Sequence, residues 1–344
     1  TKSLFRMPAE WERQQSTLMG WPYNKNDWPG KFNNIPKIFA EIISKITKSQ
    51  KVNLLINNHK SKNIIKKLLR KNNARVRNVK FIICETDRVW MRDIGPIFIK
   101  DKKNQNFLLN WEFNGWAKYK NYRADNRVNL RIKNHYKGNI INPEFDKKSI
   151  VLEGGAIDVN GKGLLLTTKE CLLSKIQQRN SFLKRKDYNL IFKKFFGAKK
   201  VIWLNKGIAG DDTHGHVDDI ARFVKSNKVF LAYENNKKDI NFKNLDENFN
   251  ILKKIKIGSS KIKIIKIPMP RPIYINKVRV PASYLNFYIF NKFVLLPIFN
   301  DPKDKIVIKI FKKEFNNRKI IPIDCSELIW GFGAIHCLTQ QEPK

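Results

Sequence analysis

Acidic residues, histidines and cysteines are all scarce in this chain of 344 residues. It has 30 Asp and Glu against 68 Lys and Arg, five His and four Cys. The cysteines, Cys84, Cys171, Cys325 and Cys337, lie far apart with no C-x-x-C pair. That spacing argues against a disulfide framework or a structural zinc site. Cys84 and Cys171 read as small buried hydrophobes. Long apolar runs are also missing. Stretches such as Val52 to Ile56, Val201 to Leu204 and Phe293 to Ile298 fall well short of the ~18 residues needed to span a bilayer. The first residues, Thr1 to Arg6, carry no apolar stretch of the kind a secretory leader needs. A cytoplasmic protein with reduced thiols is therefore expected. No Pro/Gly/Ser-rich linker divides the chain, so residues 1–344 are expected to form a single domain.

What the chain does have is positive charge, a formal +38, and a hydrophobic fraction of 42%, enough for a large core. The lysines are spread over the whole length. Scattered basicity makes a solvated surface and non-specific attraction to polyanions, not a specific nucleic-acid site.

Apolar spacing predicts two helices, one with Ile38, Phe39, Ile42, Ile43 and Ile46 on one face and one with Ile64, Ile65, Leu68 and Leu69. Five segments then share a loose plan of strand, turn and strand: Trp90 to Lys100, Val151 to Leu166, His216 to Ala232, Asn286 to Pro297 and Leu328 to Gln340. The last has no clear second strand. Each carries one conspicuous polar residue, Asp93, Glu153, His216, Asn286 and Cys337, separated by 60, 63, 70 and 51 residues. A period near sixty suggests repeated strand–helix units around an axis, with those side chains meeting at the centre. If the units close a ring, the strand Ser16 to Pro22 should pair near the C-terminal unit.

Four clusters carry candidate chemistry. Gly210 to Asp219 packs two His and four Asp into a chain poor in both. On a strand, His216 and Asp218 would share a face. They suit either proton transfer beside a cation or, with His214, a metal-hydrolase set, His214-x-His216-x-Asp218. Asp93 in Trp90-Met91-Arg92-Asp93-Ile94-Gly95-Pro96 is a cation ligand, a turn former or a partner for Arg92. Glu153 precedes paired glycines, which allow close backbone approach. Cys337 follows a glycine-containing turn near the chain end. His336, adjacent to it, would point to the opposite face of a strand and so is a poor base for Cys337, leaving His216 as the better candidate.

Together these clusters resemble the agmatine deiminase family of guanidino-group-modifying enzymes. The resemblance begins at Met7-Pro8-Ala9-Glu10-Trp11-Glu12 and Gly20-Trp21-Pro22. It runs through Trp90 to Pro96, Glu153 to Asp158, Gly215 to Asp219 and Pro281 to Phe287, and ends at Ile335 to Gln341. It implies an α/β fold, a five-bladed α/β-propeller (pentein), which also accounts for the sixty-residue period. By the same resemblance Cys337 is the nucleophile and His216 the acid/base. Asp218 and Asp93 grip the guanidinium, Asp212 holds the distal amine, Trp90 lines the cation's path, and Glu153 lies near the site. Two positions depart from the family pattern: His214, where a small polar or acidic residue is usual, and Phe332, in a loop usually richer in glycine.

The chemistry fits these residues. A planar cation is fixed by two carboxylates accepting its N–H groups, which presents the central carbon to a thiolate. The implied reaction converts agmatine to N-carbamoylputrescine and ammonia through a covalent amidino-thioether, with no metal or organic cofactor. The expected partner is this small guanidine substrate, with no specific nucleic acid and no membrane; a homo-oligomer is compatible. Arginine or peptidylarginine would be alternative substrates. A free-arginine enzyme would want an Arg or Lys for the carboxylate, whereas Asp212 suits an amine.

Overall fold

The computed structural model describes residues 3–344. The chain is mixed α/β, and its larger sheets repeat one plan. An antiparallel pair is followed by a helix and then by a strand parallel to the second member. In Asp158–Val159, Leu164–Thr168 and Lys200–Leu204 the crossover contains the helix Arg185–Phe196. The same arrangement recurs in Ala221–Lys225, Lys228–Tyr233 and Lys263–Pro268 with Asn241–Leu252. It appears again in Tyr288–Phe290, Phe293–Ile298 and Lys319–Asp324 with Asp304–Glu314. A fourth sheet joins Ile97–Asp101, Asn106–Leu109 and Asn139–Ile141, with Phe5–Arg6 added at its edge.

The fifth sheet joins the chain ends. Gln340–Pro343 pairs antiparallel with Gln14–Gly20, which runs parallel to Lys51–Ile56, itself parallel to Val79–Ile83. The expected pairing of the early strand with the C-terminal unit is therefore present, with Leu18 opposite Gln340. It also explains why the last segment showed no second strand, since its partner comes from the N-terminus. The hairpins around residues 160–163 and 226–227 form as their turn residues require.

The helix Ile35–Ile46 buries Phe39, Ile42, Ile43 and Ile46, as its spacing predicts. The helix Lys62–Lys71 buries only Ile65 and Leu69, and Ile64 is exposed. Leu68 is partly buried against the same core, so three of the four expected positions face it.

The segments expected to begin as strands begin instead as single helical turns: Met91–Ile94, Gly154–Ala156, Val217–Asp219 and Ile335–Leu338. Each turn directly precedes the first strand of its sheet. The turn at 91–94 packs against those at 154–156 and 335–338, and 154–156 packs against 217–219. The strand-face reading of His216 with Asp218, and of His336 with Cys337, does not hold on such turns.

Candidate functional site

Asp93, Glu153, His216, Asn286 and Cys337 all sit just before the first strand of their respective sheets, and all are buried. The repeat thus delivers one polar group per unit to the same region. The backbone of Gly155 lies at the middle of it. A Cβ there would fall 2.5 Å from His216 Nδ1, 2.8 Å from Asp93 Oδ1 and 3.1 Å from Asp218 Oδ2. No side chain fits at this position, which is the physical reason for the second glycine of Glu153-Gly154-Gly155. Its N–H donates to Asp93 Oδ1 at 2.9 Å, and Trp116 Nε1 donates to Asp93 Oδ2 at 2.8 Å. Arg92 does not pair with Asp93. It donates to Gln340 Oε1 at 3.0 Å and lies 3.7 Å from Glu10.

His216 lies between two carboxylates, 3.3 Å from Glu153 Oε1 and 3.7 Å from Asp93 Oδ2. Burial disfavours the imidazolium, but Asp93 and the hydrogen-bonded Cys171 and Glu153 outweigh it, and the His216 pKa is raised well above the usual value. Glu153 is itself held by Arg179, at 2.7 and 2.8 Å from its guanidinium. Burial pushes the Glu153 pKa up; Arg179 and His216 more than reverse this and bring it to about 2. Asp93 is raised to about 6, chiefly by burial and then by Asp218 and Glu153, with His216 opposing. Glu153 Oε2, His216 Nδ1 and Asp218 Oδ1 are buried without a partner in the protein. These three atoms keep hydrogen-bonding capacity that no protein group uses.

Cys337 lies on the short helix 335–338. Its sulfur accepts from Asn286 Nδ2 at 3.2 Å and is 3.9 Å from Asp218 Oδ2. Burial, followed by Asp218, Asp219 and Asp93, pushes the thiol pKa well up, with Asn286 opposing. Asp218 is held down, against burial, by His336 first and then by His216 and Arg222.

Asp93 and Cys337 are among the residues lining a cavity of about 330 Å³. Its wall includes Trp90, Trp116, Tyr119, Trp330 and Phe332, and the part-exposed Asp212. Trp90 packs against Trp28 at a tilt of 46° with ring centroids 5.5 Å apart, and a Cβ at Gly333 would meet the Trp90 ring at 2.7 Å. Phe332 adopts the left-handed conformation, with φ 65°. Asp212 carries partners the sequence did not reveal, the Lys118 ammonium and the Tyr119 hydroxyl. Arg88 also lines the cavity, although its guanidinium is committed to the Asn121 backbone and side-chain oxygens at 2.6 and 2.8 Å.

The structure thus brings together Cys337, His216, Asp218, Asp93 and Glu153, and places Trp90 and Asp212 along the cavity. His214 is elsewhere. Its ring lies 3.3 Å from Ser174 Oγ and its φ is 62°, so the set His214, His216 and Asp218 is not assembled. Among the described residues, the cluster whose ligand atoms come within 4.8 Å of one another is Glu153, Cys171 and His216. The Arg179 cation on Glu153 disfavours a second cation there. Sequence reasoning gave Asn286 a place in the period but no role, and missed Arg179, Trp116 and Lys118. Arg179 and Lys118 stood unmarked among 68 basic residues.

The chain is similar to known proteins along nearly its whole length. A Mycoplasma capricolum subsp. capricolum protein, provisionally named agmatine deiminase, is 32% identical over 99% of this chain and 96% of its own length. The structure of a cysteine-to-serine variant of C. jejuni agmatine deiminase with substrate bound superposes with a TM-score of 0.87 at 29% identity, covering 99% of this chain and 96% of that one. Agmatine deiminase of Enterococcus faecalis gives 0.88 at 26% identity with the same coverages. The model of the Porphyromonas-type peptidyl-arginine deiminase family matches residues 6–343, and the chain belongs to that family.

Proposed function

We propose that this protein is an agmatine deiminase, a hydrolase that converts agmatine and water to N-carbamoylputrescine and ammonia. The observation that carries the reading is the Cys337 sulfur 3.9 Å from Asp218, in the wall of a cavity that Asp93 and the part-exposed Asp212 also line. Relatives named for the same activity support it. The five repeated sheets support a single domain over residues 1–344, arranged as a five-bladed α/β-propeller.

In the proposed mechanism Asp93 and Asp218 accept N–H groups of the guanidinium and fix its plane. The bound cation offsets the burial and the carboxylates that keep the Cys337 thiol protonated, so with substrate present the thiol loses its proton to solvent and the thiolate forms. The sulfur adds to the guanidinium carbon. His216, an imidazolium, donates its proton to the departing nitrogen, ammonia leaves and an amidino-thioether remains. Neutral His216 then takes a proton from water, and the oxygen adds to the same carbon. The C–S bond breaks, the urea group forms, and the released proton ends on ammonia. Glu153 holds His216 in place through the 3.3 Å contact. Asp212 takes the distal ammonium and Trp90 packs against the alkyl chain.

Arg88 in the cavity wall favours free arginine, since a guanidinium could meet its carboxylate. Its commitment to Asn121 weighs against this. No helix of the described residues is long and apolar enough to cross a membrane. A cytoplasmic location belongs to the same reading, supported by four free, buried cysteines. An ammonia-release assay over agmatine, arginine, peptidylarginine and methylated arginines decides the substrate. Agmatine is expected to have the highest kcat/KM, and arginine exceeding it would overturn the assignment.

A further inference from the structure

His336 is buried, and the proposed mechanism gives it no part. Its Nδ1 lies 2.7 Å from Asp218 Oδ2 and its Nε2 2.8 Å from Glu10 Oε2. Glu10 belongs to the N-terminal stretch Met7 to Glu12 and reaches the site from the opposite end of the chain. It is fixed in turn: Oε2 also accepts from the Arg222 guanidinium at 2.8 Å, and Oε1 accepts from the Ile289 N–H at 2.7 Å. His336 is fixed from the other side, because its N–H donates to Asn286, the residue that also bonds the Cys337 sulfur. Both ring nitrogens face carboxylate oxygens. Against burial, Glu10 and Asp218 are both held on the ionised side by their cationic neighbours, and with two anions flanking the ring both contacts are hydrogen bonds only when both nitrogens carry hydrogen, because a neutral ring would turn one lone pair against an anion.

We propose that His336 is a positioning residue, a doubly protonated bridge between Glu10 and Asp218. It commits Asp218 Oδ2, leaves Oδ1 as the oxygen offered to the guanidinium, and keeps Asp218 anionic 3.9 Å from the Cys337 sulfur. It acts through Asp218 and does not touch the reacting carbon. The charge alternates along the row: Arg222 cation, Glu10 anion, His336 cation, Asp218 anion, substrate cation. Each buried charge thereby has a neighbour of opposite sign, which burial of ions requires. Asp158, paired with Arg222 at 3.0 Å, and Arg92, 3.7 Å from Glu10, also flank the row, and His216 and Asp219 neighbour its Asp218 end.

The inference rests on the proposed function only for its second test. The first test needs no substrate. In protein labelled with ¹⁵N-histidine, the His336 ring should show two slowly exchanging N–H protons near neutral pH, assigned by their loss in His336→Gln. In Glu10→Gln, which keeps the shape and removes the charge, one of the two should be lost or shift strongly. A single N–H in the wild-type ring overturns the bridge. The second test is kinetic. His336→Gln keeps one donor and should raise KM for agmatine at least tenfold and lower kcat, with a melting temperature within a few degrees of wild type. Wild-type KM and kcat in a folded His336→Gln protein overturn the positioning role. If that variant does not fold, Glu10→Gln carries the kinetic test, with a smaller rise in KM expected and unchanged constants counting against the role. Should wild-type enzyme not turn over agmatine, the functional reading fails, and the ring N–H count still judges the bridge by itself.

Discussion

The amide of Asn286 holds both the sulfur and the backbone of Cys337. Nδ2 donates to Sγ at 3.2 Å, and Oδ1 accepts the N–H groups of His336 and Cys337 at 3.0 and 3.2 Å. The side chain and the short helix that carries it are thus fixed by one residue from a different sheet. A nucleophile held this way attacks along one path. Replacing Cys337 with Ala should abolish turnover while agmatine binding survives, because Asp93, Asp218 and Asp212 remain. Calorimetric titration together with an ammonia assay tests this. Measurable turnover in Cys337→Ala would end the covalent scheme.

Asp93 gives the enzyme an acid limit. Its pKa of about 6 lies above the ordinary carboxylate range because of burial and the neighbouring Asp218 and Glu153. The proton is therefore favoured in the fold, and the carboxylate that grips the guanidinium is lost as pH falls through about 6. The kcat/KM profile should drop on its acid side near that pH. The limb in kcat should lie lower, since a bound cation favours the ionised form. A flat profile down to pH 5 contradicts this role for Asp93.

Gly155 should not tolerate alanine. The added methyl would lie 2.5 Å from His216 Nδ1 and 2.8 Å from Asp93 Oδ1. Those groups must then move by a substantial fraction of an ångström, which costs on the order of 10²-fold or more in rate when reacting groups are misplaced. The expected stability loss from such overpacking is about 1–3 kcal/mol, small enough to leave a folded protein. Circular dichroism and steady-state kinetics on Gly155→Ala separate the two effects. Near-normal activity would show that the three side chains are not packed as described.

Lys118 occupies the carboxylate expected to hold the distal ammonium. Its side chain is 44% exposed, so it can swing away. The substrate must replace it, and Lys118→Met should lower KM for agmatine several-fold with kcat little changed. Asp212→Asn should raise KM instead. Identical KM in Lys118→Met and wild type would show that the lysine does not compete.

The surface field opposes a dication. With a net charge of +38, the protein repels agmatine until salt screens the surface. The Debye length shortens from about 30 Å at 0.01 M to about 8 Å at physiological ionic strength. kcat/KM should therefore rise as salt is added from low ionic strength. A steady fall would show that the local carboxylates dominate even outside the cavity.

The sequence by itself determined the units and their polar residues. Short apolar runs and Asn-Gly or Ser-Asn turns wrote the hairpins at 158–168 and 221–233, and the sixty-residue spacing of Asp93, Glu153, His216, Asn286 and Cys337 marked their common position. Local pattern sufficed because hairpins and helix faces depend on neighbours close in the chain. Only the tertiary structure decided what each polar residue touches. Asp93, Glu153, His216 and Cys337 lie on or beside single helical turns, whose few residues leave no periodicity to read. His336 and Glu10 meet across the closure of the N- and C-terminal strands, 326 positions apart. Arg179, one basic residue among 68, matters only because its guanidinium lands on buried Glu153. Contacts of that range are set by how the sheets pack around the buried charges, and no stretch of the chain carries that information alone.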